Sequence, residues 1–185
     1  QIAFGWPILL SALPLIAVYQ GDRLIIGRLA GMESLAAYTA CFMLTMVPGL
    51  LAAKAGHALM LPLFSDALRR GNPLAGRFKL MTEVTALGAA LYLVFFIIAG
   101  EKLLPLVFGA HYDGLGAVTA WLAAMWALRM IQAVPGMALM AAGHTKPFLT
   151  AGLVRASVLP FALWTAIDGA TIATIAAIAF VGECL

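Results

Sequence analysis

Six apolar stretches, each close to the length of a membrane crossing, follow one another along this sequence with short polar breaks between them. A bilayer core about 30 Å thick takes roughly 20 apolar residues per helical span. The candidate spans are Ile2–Gln20, Leu35–Phe64, Leu80–Ala99, Leu115–Ala142, Phe148–Ile167 and Ala170–Leu185. The expected fold is all-α: a polytopic membrane helix bundle of about six transmembrane helices, forming a single unit over residues 1–185. A soluble protein with six buried helices is excluded by charge. Only 10% of the 185 residues are charged and 64% are apolar, which leaves too little polar surface to cover such a core.

The breaks fall at Gly21–Ser34, Ser65–Lys79, Gly100–Gly114, Gly143–Pro147 and Asp168–Gly169. Alternate breaks share one side of the membrane. The second and fourth hold Arg69, Arg70, Arg77, Lys79 and Lys146, against Arg23, Arg28 and Lys102 in the others. The positive-inside rule puts the second and fourth in the cytoplasm. The first residue is Gln1 and the sixth stretch stops within an apolar run, so the chain reads as a fragment of a longer one. Net charge is only +3 and scattered, so a nucleic-acid partner is not expected. Cys41 and Cys184 both lie in apolar runs, which argues against a disulfide framework.

Prolines lie within the spans at positions 7, 14, 48, 135 and 160, and Pro48-Gly49 and Pro135-Gly136 pair with glycine in long helices. Such breaks are tolerated where neighbours or a wet cavity satisfy the freed carbonyls. A static kink and a hinge for alternating access are both compatible with them. Trp6, Trp121, Trp126, Tyr19 and Tyr112 lie near span ends or a few turns inside, and belt anchoring accounts for the terminal ones.

Charges inside the spans are the informative residues. Lys54 stands roughly 18 Å from the cytoplasmic end of its span, and His57 follows at i+3 on the same face. Arg129 is near the centre of the fourth span and Arg155 about two turns into the fifth. A cation at the bilayer centre costs roughly 2.5–3.5 kcal/mol, so most of these must face the bundle interior or water. Few acids share their depth. Glu83 suits Lys79 or Arg77, Asp66 suits Arg69 and Arg70, and Asp22 and Asp168 sit at outer span ends. The balance at mid-membrane is cationic, which suits an anionic ligand such as phosphate. Lys54, Arg129, Arg155 and His57 are therefore the candidate substrate-binding residues of a cationic cavity. The structural alternative is that Arg155 snorkels, that Lys54 and Arg129 pair with carbonyls or another part of the protein, and that His57 packs neutral.

No nucleophile elbow, zinc-protease helix, phosphate loop or CxxC pair occurs, and no DxxD or DDxxD either. The chain reads as a non-enzyme, with no metal and no cofactor. His111-Tyr112-Asp113 reads as a polar turn.

An ordered set of short motifs runs through the chain. It begins with Gln20-Gly21-Asp22-Arg23-Leu24-Ile25-Ile26-Gly27 and Leu35-Ala36-Ala37-Tyr38. Leu61-Pro62-Leu63-Phe64-Ser65 and Arg69-Arg70-Gly71-Asn72 follow, then Val107-Phe108-Gly109-Ala110-His111-Tyr112 and Ala141-Ala142-Gly143-His144-Thr145. The series resembles the Wzx-type polysaccharide transporters of the superfamily that also holds the MATE exporters and the lipid II flippase. The surroundings of Arg129 and Arg155, with Gly182-Glu183, look more like the second half of such a transporter. The resemblance implies two pseudo-symmetric bundles, of which this chain would be one. It implies movement of undecaprenyl-diphosphate-linked oligosaccharide across the bacterial inner membrane for exopolysaccharide or O-antigen biosynthesis, by alternating access. The implied partners are the lipid-linked oligosaccharide, membrane lipid, and polysaccharide polymerase and chain-length proteins. Asp22 and Arg23 match the family pattern best. An ion pair orienting two helices and a coupling role are both open for them, and Glu83 shares the coupling reading.

The first rival is a MATE-like cation-coupled drug or metabolite exporter, which needs a membrane-embedded carboxylate; Glu83, Asp22 and Asp168 are the candidates. An embedded enzyme of polyprenyl-phosphate sugars and a purely structural subunit are the others.

Overall fold

The computed structural model describes residues 21, 23–70, 74–143, 146–157, 160, 163–165 and 171–184. The expected first span, Ile2–Gln20, lies outside them, as does much of the fifth beyond residue 157. Among the described residues the chain is helical, with no strand. A short helical segment over 23–29 leads into α1 (Gly31–Arg69), followed by α2 (Leu74–Phe108), a 3-10 turn (Ala110–Tyr112), α3 (Gly116–Ala141), α4 (Lys146–Ala156) and α5 (Ile172–Cys184). Three helices, α1, α2 and α3, are long and apolar enough to cross a membrane.

The fourth expected span agrees with α3 to within one residue at each end. The sixth, Ala170–Leu185, agrees with α5 to within two residues, and the second and third needed correction. The loop expected over Gly21–Ser34 is helical at 23–29 and from Gly31 onward, with the change of direction at Gly31, whose φ of 87° suits a residue without a Cβ. α1 and α2 extend past both ends of the apolar stretches that announced them. Their 39 and 35 residues give rods of about 58 and 52 Å, well beyond a core of about 30 Å. Hydropathy marks the lipid-embedded part of a helix. The backbone ladder continues into the interface until a breaking residue ends it. For α1 the break is the run Gly71-Asn72-Pro73; for α2 it is Gly109, at φ 101°.

The facing ends of α1 and α2 share polar contacts on the side expected to be cytoplasmic. Arg70 Nε donates to Asp66 Oδ1 at 2.8 Å, and the Arg70 amide caps the Asp66 carbonyl. Arg77, from the first turn of α2, donates to the Leu63 carbonyl at 3.0 Å. Asp66 thus pairs with Arg70 as expected, with Arg77 alongside at 4.0 Å.

α3 is the central helix, packed on α1, α2 and α5. Two apolar cores form along it. The outer one gathers Ile26, Tyr38, Phe42, Leu104, Leu122, Met125, Trp126 and Ile175; the inner one gathers Met60, Phe64, Val134 and Met137. Between them is a gap of about 140 Å³ lined by small and flexible side chains, including Ala53, Gly56, Thr85, Gly88, Met130 and Ala133.

Gly49 decides how closely α1 and α3 approach. A Cβ there would lie 3.2 Å from the Trp126 ring, so the glycine of Pro48-Gly49 has a packing role. Trp126 is only 5% exposed. It belongs to the core, whereas Trp121, 40% exposed, keeps the surface position a belt residue would have. Nearby, Tyr92 on α2 donates its hydroxyl to the Thr45 carbonyl at 2.7 Å. Pro48 has no N–H to give the preceding turn, and this cross-helix bond holds the loosened turn in place.

Candidate functional site

The expected cationic residues do not converge on one point. Lys54 and His57 are both exposed on the outward face of α1, close to its midpoint. They share that face with Met43, Val47 and Leu50, all exposed apolar residues. Helical spacing requires this: positions 43, 47, 50, 54 and 57 form one i, i+3/i+4 row, while 52, 53, 56 and 60 form the row that lines the inter-core gap.

Arg129 lies elsewhere, inside the bundle. Its Nε donates to Glu183 Oε2 on α5 at 2.9 Å, with side chains 12% and 1% exposed. Gln132, one turn along α3, donates to the Glu183 main-chain carbonyl at 2.7 Å. Glu183 was not among the few acids expected near the depth of Arg129. Glu183 is eleven residues into α5 and Arg129 thirteen into α3, or about 17 and 20 Å from the outer ends of those helices. The depth match was available in the sequence. It was missed because Glu183 stood next to the end of the apolar run and its partner is 54 residues away.

The Arg129 guanidinium also lies over the Trp126 ring, 5.1 Å from its centroid. Trp126 meets Phe42 edge-on at 6.1 Å, and Arg23 lies 4.3 Å over the other partner, Phe42. Two rings between two cations, in the order Arg23, Phe42, Trp126 and Arg129, therefore link the segment 23–29, α1 and α3, and the row ends at the Glu183 carboxylate on α5. Cation–π contacts of this kind contribute roughly 0.5–2 kcal/mol each, more where water is excluded.

The remaining sequence candidates are dispersed. Glu83 is exposed and pairs with Lys79 at 3.9 Å, four residues away on α2. Asp22 lies outside the described residues, and for Arg155 only its place in α4 is described. The turn holding His111, Tyr112 and Asp113 forms, with Glu33 and Ser34, an open outer pocket of about 260 Å³. There His111 Nε2 is 3.5 Å from Glu33 Oε1, both side chains being exposed. Among the described residues no group of three or more His, Cys, Asp or Glu could hold a metal ion.

Among the described residues, one face of α1 offers the exposed Lys54 and His57 side chains, and the interior holds the Arg129–Glu183 pair. Comparison with curated proteins and with solved structures finds no match. The sequence does match the family described as polysaccharide biosynthesis protein, over residues 1–116, more than half of the 185. That stretch covers α1, α2 and the outer turn, including Lys54 and His57. With its membrane-spanning helices and this match, the chain belongs to the polysaccharide biosynthesis protein family.

Proposed function

We propose that the chain is one bundle of a transporter that flips undecaprenyl-diphosphate-linked oligosaccharide from the cytoplasmic to the periplasmic leaflet of the bacterial inner membrane. It works by alternating access and performs no covalent chemistry. Family membership supports the setting. The observation that carries the reading is Lys54, with His57 one turn on, exposed on the outward face of α1 at mid-membrane. Facing lipid, such a cation costs roughly 2.5–3.5 kcal/mol. Facing a wet cavity beside a second bundle it stays hydrated and attracts an anion. An ammonium with three donors suits the oxygens of a diphosphate.

Arg129 is less suited to that task, since Glu183 already neutralises it. Substrate contact therefore falls to Lys54, with His57 beside it and Arg155 as a further candidate. Surrounding lipid, and the polymerase and chain-length proteins that receive the flipped sugar, are the expected partners. The test is surface polymer in a strain whose only copy of the full-length protein carries Lys54→Ala. Polymer is expected to fall at least tenfold at normal abundance of the protein, with Lys54→Arg retaining most of it. Full polymer from Lys54→Glu would refute the assignment.

A cation-coupled exporter of the same superfamily is the second reading. It is favoured by Glu183, a carboxylate buried within an apolar helix, and disfavoured by the guanidinium already bound to it. Drug sensitivity on gene loss, with surface polymer intact, would select it.

A further inference from the structure

The Arg129–Glu183 pair is the most expensive arrangement in the described bundle, and packing alone does not call for it. Arg129 is mid-way along α3 and Glu183 is in the last turn of α5, and both are nearly sealed from solvent. Two buried charges lose their hydration, and the mutual attraction seldom more than offsets that loss. Apolar side chains of similar volume hold two helices together as well or better. Stability is therefore not what the pair supplies.

What it supplies is position. The rest of the α5 contact surface is smooth and apolar, with Ile175 and Ala176 set in the outer core. Apolar surfaces slide past one another at little cost. The Arg129 and Gln132 bonds, one to the Glu183 side chain and one to its backbone, fix α5 to α3 at a single depth. A polar contact in an apolar seam is a well-attested way to set register. The setting also favours two states. Pro135-Gly136, within two turns of Arg129 on the inner side, removes one backbone donor from the otherwise continuous α3. A gap lined by small and flexible side chains lies between the outer and inner cores. Beside the pair, the buried Trp126 Nε1–H has no acceptor, so the polar cluster is not at its hydrogen-bonding optimum in this state.

We infer that Arg129 and Glu183 form a latch between α3 and α5 that closes in one state of the transport cycle and opens in another. Arg129 is then a positioning residue and not a contact of the anionic substrate. The latch rests on the transporter reading above, because it needs two states to act between.

The experiment uses the full-length protein as the only copy in the cell, with surface polymer, membrane abundance and detergent-solubilised thermal unfolding as readouts. The apolar pair Arg129→Met/Glu183→Leu is expected to insert normally and unfold no earlier than wild type, yet to lose at least tenfold in polymer. A merely structural pair would not separate stability from export in this way. The charge swap Arg129→Glu/Glu183→Arg is expected to recover at least a third of wild-type polymer. Glu183→Gln, which removes the carboxylate charge and keeps the side-chain shape, is expected to lose export.

Wild-type polymer from the apolar pair would overturn the latch. So would full export from Glu183→Gln, which would make Arg129 a substrate contact after all. If the swap does not insert, the apolar pair and Glu183→Gln still decide between these outcomes. Unchanged polymer on deletion of the gene itself would instead refute the transporter reading, before any variant is made.

Discussion

The hydroxyl of Tyr92 on α2 donates to the main-chain carbonyl of Thr45 on α1 at 2.7 Å, one helical turn before Pro48. The bond joins two helices whose direct contact is otherwise sparse, at the point where α1 has lost a backbone donor. Thr45 itself is fully buried, and its own hydroxyl is turned back onto the Cys41 and Phe42 carbonyls. The Pro48 turn is held from outside by a neighbouring helix.

Tyr92→Phe removes that bond and little else. A single such bond contributes about 0.5–1.5 kcal/mol net. The variant is expected to unfold a few degrees earlier in detergent with unchanged insertion. An unfolding temperature equal to wild type would mean that the α1 turn holds itself.

Gly49 faces the Trp126 ring too closely for any side chain beyond methyl. Gly49→Ala is expected to be tolerated with a small shift of the ring. Gly49→Leu overfills the α1–α3 seam, at a cost of about 1–3 kcal/mol. Adding Trp126→Ala to Gly49→Leu should return part of that loss, a non-additivity read directly from a double-mutant cycle.

Glu183→Leu alone leaves the Arg129 guanidinium buried without its carboxylate. Removing one partner of a buried pair costs roughly 3–5 kcal/mol. Loss of abundance is expected for the single substitution and recovery when Arg129→Met is added. Equal stability of the two would show that Arg129 finds another partner in the membrane.

The corner of Asp66, Arg70 and Arg77 is expected in the cytoplasm and the His111 turn outside. Single cysteines at Arg70 and at His111 in the full-length protein, with the native Cys41 and Cys184 replaced, should label oppositely with a membrane-impermeant thiol reagent on intact cells. Labelling at position 70 would invert the topology and the proposed direction of transport.

Glu83 illustrates what spacing can do. Its partner Lys79 is four residues away on one helix, and the sequence suffices to pair them. Asp66 with Arg70 is the same case. The helices themselves were legible wherever an apolar stretch was long, and α3 was located almost to the residue. Their ends were less so, because hydropathy reports where lipid is and not where the hydrogen-bond ladder stops.

The sequence by itself determined that this chain is a helical membrane protein, since unbroken apolar runs of roughly 20 residues suit helical spans, whereas barrel strands need only about 9–11 with alternating polarity. The order of the residues also determined which cations fall within the apolar stretches, because position along a helix is a matter of counting. Which way those cations face was decided only in three dimensions. Lys54 and Arg129 read alike as charges within apolar runs. One is on the outward row of α1, and the other is turned against Glu183, 54 residues further along. Helical periodicity fixes which residues share a face, but the direction of that face depends on how neighbouring helices pack. Here Gly49, Trp126 and the two cores along α3 set that packing.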